Sequence, residues 1–264
     1  MTRLLLLADL HFGYHREAVV EPLLARINAA GPDLVLVAGD LTHRGRGWQY
    51  DRAAGFLARL GAPWMAVPGN HDLSLTNPAR RLARPWRHWR RAIGRETSPV
   101  RMAGGVRVFG LNSTDRLAWQ RGILPRPWVD AVLARLDPAR IAVLVLHHPL
   151  AHLPGVDKEL MAGARAALAA LEAGPAPVVA LTGHLHAWSA GAFLDGRPRR
   201  VLQVQAGTAL CRRPSDRQNE YAVLEIEGDR LAIERHVAPM QGTGFLAPER
   251  LRFSAEGGFW RRLD

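Results

Sequence analysis

The chain has 264 residues, enough for one large domain or two small ones. Its 48% hydrophobic and 22% charged residues exclude global disorder and a collagen-like repeat, and no apolar run approaches the 18 or so residues of a membrane span. A single cysteine, Cys211, excludes an internal disulfide framework and points to a reducing, cytoplasmic compartment. The net charge is +11, and Lys158 is the only lysine, so the excess is carried by arginine. Biased codon usage explains that as readily as an anionic partner does: a phosphate ester, a nucleic acid or an acidic lipid surface.

Residues 1–9 contain a basic residue and four leucines in a row, as a leader peptide would. The run is short, ends in Asp9 and lacks a small-residue cleavage site, so it reads as a first strand. Five nearly all-apolar segments of strand length then recur, each running into polar residues. Residues 3–8 lead to Asp9-Leu10-His11, 34–38 to Gly39-Asp40, and 64–67 to Pro68-Gly69-Asn70-His71-Asp72. Residues 141–146 lead to His147-His148-Pro149, and 178–181 to Thr182-Gly183-His184-Leu185-His186. Such strands suit a sheet buried on both faces. Helical patterns over residues 17–30 and 49–60 separate the first three, which predicts an α/β layered fold with ligands bound beyond the carboxyl ends of the strands.

The second half predicts strands over residues 106–111, 201–205, 221–227 and 231–237, with a hairpin turn at residues 227–230, and helices over 127–136 and 158–171. A mixed or second sheet follows. Residues 239–264, rich in Gly, Pro and Arg, receive no structural assignment and read as a tail after a domain spanning 1–238.

Asp9, His11, Asp40, Asn70, His147, His184 and His186 form a set of oxygen and imidazole donors without thiolate. That set suits manganese, iron, zinc or cobalt rather than a closed structural zinc site. Seven ligands are too many for one ion and fit two divalent ions sharing a carboxylate, the arrangement used for displacement at phosphorus.

In this order and after these strands, Asp9-Leu10-His11, Gly39-Asp40, Gly69-Asn70-His71-Asp72, His147 and Gly183-His184-Leu185-His186 resemble the calcineurin-like metallophosphoesterases. The resemblance spans roughly residues 3–237. It implies a four-layer fold, two mixed β-sheets packed as a sandwich and flanked by helices. It also implies a role for each position. Asp9, His11 and His186 would hold one metal, Asn70, His147 and His184 the other, and Asp40 would bridge them. His71 would contact the phosphate and protonate the leaving oxygen, with Asp72 as its orienting partner. Of the pair His147-His148, the first is the expected ligand.

Within the superfamily the chain resembles most the small bacterial phosphodiesterases of the class III cyclic-nucleotide type. The cues are Ala38-Gly39-Asp40-Leu41-Thr42, Pro68-Gly69-Asn70-His71-Asp72, Gly110-Leu111-Asn112-Ser113 and His147-His148-Pro149. The expected activity is hydrolysis of a cyclic nucleotide or related small phosphodiester by a metal-bridging hydroxide. Alternatives are a phospholipid-headgroup phosphodiesterase, a nuclease, or an arginine-rich binding scaffold that is not an enzyme. Members of this branch often form homodimers.

Substrate contacts are expected from Asn70, His71 and Arg44, with Arg46 close behind, and from Asn112, which would otherwise cap a turn. Residues 77–101 carry eight arginines with Trp86 and Trp89. They read either as helix with tryptophans facing the core or as a cap over the site that takes nucleic acid or anionic lipid. Arg212 and Arg213 read as surface residues, and His152 as a loop histidine.

Overall fold

The computed structural model describes residues 1–152, 155–192 and 198–263. The first half alternates β1 (Thr2–Leu7), α1 (Glu17–Ala30), β2 (Leu34–Ala38), α2 (Gly47–Leu57) and β3 (Trp64–Val67). Two short helices follow, α3 (Pro78–Ala83) and α4 (Arg87–Ala92), then β4 (Val100–Ala103) and β5 (Val106–Gly110). Next come α5 (Arg126–Leu133), β6 (Ala142–Val145), α6 (Ala164–Glu172), β7 (Val178–Thr182), β8 (Ser189–Ala192) and β9 (Val201–Gln205). The chain ends in β10 (Gln218–Glu227), β11 (Arg230–Pro239), β12 (Glu249–Ser254) and β13 (Arg261–Arg262).

These strands form two mixed sheets. One has the order β13-β12-β11-β10-β1-β2-β3, the other β4-β5-β6-β7-β9-β8. β1, β2 and β3 are parallel, as are β5, β6, β7 and β9. Side chains alternate across each strand, so one strand feeds two cores. Leu4 and Leu6 of β1 face the second sheet and pack with Val108, Val143, Val179 and Val204. Leu5 and Leu7 face outward and pack with Val19, Leu23 and Ile27 of α1, Tyr50 and Phe56 of α2, and Trp89. On the far side Phe109, Leu144 and Ala180 pack against α5 and α6. The four layers are therefore helix, sheet, sheet, helix. Each fully buried leucine stabilises them by about 2 kcal/mol.

Some boundaries differ from the sequence pattern. The helix expected over 158–171 begins only at Ala164. Its N-cap, Gly163, sits at φ 82 with space for a Cβ only 2.4 Å from the carbonyl oxygen of Leu124. The preceding residues are drawn extended along that segment, where Leu124 N–H donates to Ala162 O. α2 starts two residues early because the Gln49 side chain accepts from the N–H groups of Arg44 and Arg46. Residues 239–263 are not detached. β12 pairs with β11 over six residues and β13 closes the sheet edge; Asp264 lies outside the described residues. In the segment 77–101, Trp89 is fully buried against Tyr50 and Trp86 packs beside it, so both tryptophans belong to the core. Among the described residues no helix is long and apolar enough to cross a membrane.

Candidate metal centre

The carboxyl ends of the parallel strands of both sheets meet at one edge. There, the Nδ1 of His147 donates to Ala38 O at 2.8 Å and joins the two sheets, while Asp9 N–H to Gly39 O and Gly183 N–H to His147 O tie neighbouring strand ends within each sheet. All seven donors expected from the sequence lie at this edge, and all are buried or nearly so.

The local backbone there is unusual. Among the described residues, five non-glycine residues have positive φ: Asp9, His11, Asp40, His184 and His186, at 48–74°. None is an asparagine in an ordinary turn, and each is one of the seven donors. Left-handed backbone costs an L-residue of order 1 kcal/mol, so five such residues at one point mark a region held for something other than stability. Close approach is also enforced. A Cβ on Gly69 would lie 2.2 Å from Asp40 Oδ1, so only glycine lets this loop pass.

The donor atoms converge. His186 Nε2 lies 3.1 Å from Asp9 Oδ1 and 3.2 Å from His11 Nε2. Asp40 Oδ2 lies 3.5 Å from His11 Nε2 and 3.4 Å from His147 Nε2. Donors bound to one ion at about 2.1 Å stand about 3.0–3.4 Å apart, so these spacings suit shared coordination shells. The single oxygen Asp40 Oδ2 belongs to both groups. Asp9 Oδ1, Asn70 Oδ1 and His147 Nε2 are buried with no hydrogen-bond partner, a costly state that a cation would relieve. The residues therefore fit a pair of divalent ions. Asn70 is oriented by its amide, which donates to Trp119 O at 3.2 Å and turns the oxygen the other way. His184 joins through its ring, beside His147, while its N–H donates to Asp9 Oδ2.

Electrostatics agree. Burial by itself would raise Asp9 and Asp40, but the surrounding histidines hold both carboxyls well below their ordinary range. Burial would lower His147 and His186, yet the carboxylates push both up to about 9. The cluster thus attracts positive charge strongly, and ions would displace those protons.

His147, not His148, offers a free nitrogen. Both ring nitrogens of His148 are spent, Nδ1 on Ser113 Oγ and Nε2 on Gln120 O. Asp72 does not orient His71. Its carboxylate is buried and accepts from the N–H groups of Leu41, Thr42 and Gly69 and from the Thr42 hydroxyl. It locks the Asp40 loop to the Asn70 loop, and burial beside Asp40 raises its pKa to about 7. The His71 ring is oriented instead by His43, whose carbonyl takes the Nδ1 proton at 2.7 Å. Of the two roles expected for Asn112, the structure displays the turn cap: it is nearly buried, and its side-chain oxygen accepts from the N–H and hydroxyl of Thr114. Arg44 lies exposed beside His43, at the mouth of the centre.

Two contributors escaped the sequence. Asp216 accepts from His186 Nδ1 at 2.8 Å with one oxygen and from Arg213 N–H at 2.9 Å with the other. A carboxylate behind a ligand imidazole fixes its tautomer and raises its basicity. Arg213, read as a surface residue, points Nη2 at His71 Nε2, 3.0 Å away. A guanidinium only donates, so His71 Nε2 is an acceptor here and the ring is neutral. Nothing local in Arg213-Pro214-Ser215-Asp216 marks these roles.

The chain is 28% identical over 220 residues to a probable cyclic nucleotide phosphodiesterase of Synechococcus sp., covering 78% of this chain and 77% of that protein. A second protein of that description, from Rhodopseudomonas palustris, is 49% identical over 51 residues, 19% of each chain. Among solved structures, a purple acid phosphatase from yellow lupin superposes with a TM-score of 0.68 at 13% identity, over 94% of this chain and 53% of that one. A dimetal phosphatase from Danio rerio gives 0.64 at 15% identity, over 94% and 98%. These two establish the fold alone. The sequence profile of the calcineurin-like phosphoesterases matches residues 2–188, and the chain belongs to that family.

Proposed function

We propose that the chain is a phosphodiesterase dependent on two divalent metal ions, acting on a cyclic nucleotide or a related small phosphodiester. The observation that carries this reading is the single oxygen Asp40 Oδ2, set 3.4–3.5 Å from histidine nitrogens of two donor groups. The description of the Synechococcus relative supports the diester. Asp9, His11 and His186 would hold one ion, Asn70, His147 and His184 the other, with Asp40 between. Bound there, two ions supply Lewis acidity to a phosphoryl oxygen and acidify water at neutral pH.

The chain's own residues do the rest. Hydrolysis joins a water oxygen to phosphorus and breaks the ester P–O bond, and the departing oxygen needs a proton. His71 Nε2 faces the centre, while Nδ1–H is fixed on His43 O. A phosphodiester anion would draw Arg213 off Nε2 and favour a proton there, which His71 can then deliver. Asp216 keeps both Arg213 and His186 in place.

The test is turnover of manganese-loaded protein on bis-p-nitrophenyl phosphate and on p-nitrophenyl phosphate. The reading expects the diester to be faster; preference for the monoester would replace it with a phosphatase. A second reading, a phospholipid-headgroup substrate, is favoured by Leu117 and Trp119, 84% and 58% exposed on the loop whose carbonyl holds Asn70. It expects faster hydrolysis of a glycerophosphodiester presented in vesicles than of the same headgroup in solution.

A further inference from the structure

A cleft of about 570 Å³ opens beside the centre, lined by Tyr14, His43, Arg44, Arg46, Trp48 and Arg213 among others, with no carboxylate in its wall. Three other clefts each include an acid: Asp137 in one, Glu225 and Glu234 in another, Glu96 in the third. Many surface arginines are paired, such as Arg52 with Glu17, Arg59 with Glu21 and Arg91 with Asp51. Among the described residues the guanidiniums of Arg44, Arg46 and Arg213 have no carboxylate within ion-pair distance, Asp216 meeting only the backbone N–H of Arg213. Its wall adjoins the centre through His43 and Arg213, both of which touch the His71 ring. His71, His43 and Tyr14 stack in a column, with ring centroids 5.6 and 4.9 Å apart, and Arg212 lies over Tyr14. Trp48, 49% exposed, presents a bare indole on the same wall.

With two ions bound, the centre and Arg213 would already offer enough positive charge for one phosphodiester anion. Two further unpaired guanidiniums and a flat aromatic surface are more than that anion uses. Guanidinium matches phosphate with two parallel donors, and an exposed indole takes a nucleobase face. Resting on the phosphodiesterase reading above, we infer that this cleft binds a nucleotide unit bearing a second phosphate. Arg44 and Arg46 hold that phosphate and Trp48 holds the base, while the scissile diester reaches His71 and the donor cluster. The preferred substrate class is then a phosphodiester with a terminal phosphate on its nucleotide, rather than an unadorned cyclic mononucleotide.

The experiment compares the dinucleotides ApA and 5′-phosphorylated pApA, which differ by that phosphate alone. kcat/KM is expected to be at least tenfold higher for pApA. Arg46→Ala and Trp48→Ala, both at exposed positions, are each expected to shrink that ratio at least fivefold. In parallel, calorimetry of the metal-loaded protein with adenosine 5′-diphosphate is expected to show binding that weakens at least tenfold in either variant. Equal kcat/KM for ApA and pApA, or nucleotide binding indifferent to both substitutions, overturns the inference. If neither dinucleotide nor bis-p-nitrophenyl phosphate is cleaved, the phosphodiesterase reading fails. The calorimetry still decides the cleft: loss of binding in the variants supports it, and unchanged binding removes it.

Discussion

Asp216→Asn is a change of one atom type with a calculable consequence. The wild-type carboxylate serves two donors at once, His186 Nδ1–H at 2.8 Å and Arg213 N–H at 2.9 Å. An amide has one acceptor oxygen, so one of those donors must face an NH₂ group. A hydrogen bond to a charged group is worth about 1.5–3 kcal/mol net. At 1.4 kcal/mol per decade that is roughly a 10- to 100-fold loss in affinity at the ion served by His186, similar to other losses of carboxylate support behind a ligand histidine. The assay is competition of Mn²⁺ or Zn²⁺ against a chromophoric chelator, with a thermal melt to show that the variant folds. The ion expected on Asn70, His147 and His184 should be weakened less, because Asp216 touches none of them. If both ions bind the variant as tightly as the wild type, the placement of His186 as a ligand is wrong.

Gly69→Ala should cost at least 100-fold in turnover with both ions weakened, since its methyl would overlap Asp40 Oδ1 at 2.2 Å; metal content and rate measured together check this. Arg81→Ala removes a buried guanidinium that donates to the carbonyls of Asp115, Arg116 and Ala118. Orphaning such acceptors should lower stability by about 2–4 kcal/mol in a urea titration and loosen the loop that orients Asn70. His71→Ala should retain both ions and slow esters of poor leaving groups far more than p-nitrophenyl esters; equal slowing would remove its role as proton donor. Stripping the ions with a chelator should lower the melting temperature, because ions at 1,000 times their dissociation constant add about 4 kcal/mol per site. An unchanged melt would show that the buried donors need no cation.

The sequence carried the frame of the molecule because its central strands are short, apolar and followed at once by ligand-type residues. Buried on both faces, β1, β2, β6 and β7 leave no polar alternation to confuse with helix. Edge elements were harder. In β12, which the two-residue edge strand β13 covers only at Phe253 and Ser254, only Phe253 is buried, and Glu249, Arg250 and Arg252 keep the strand polar, as near a sheet edge. Of the site, the seven donor-type residues that follow strand ends were legible as a group, and the fold brings them to one edge. What was not legible depends on contacts between residues far apart in sequence. Asp216 meets His186 across 30 residues, and Arg213 meets His71 across 142. Asp72 was misread for the opposite reason: its neighbour in sequence, His71, points elsewhere, and its partners are backbone donors on the Asp40 loop and at the start of its own turn.

The most direct test of the central claim is metal stoichiometry set against turnover of bis-p-nitrophenyl phosphate, in the wild type and in Asp40→Ala. A bridging Asp40 predicts two ions per chain, a rate that rises only as the second ion binds, and loss of both the second ion and the rate in Asp40→Ala. An Asp40→Ala protein that still binds two ions and turns over the diester at near wild-type rate would contradict it.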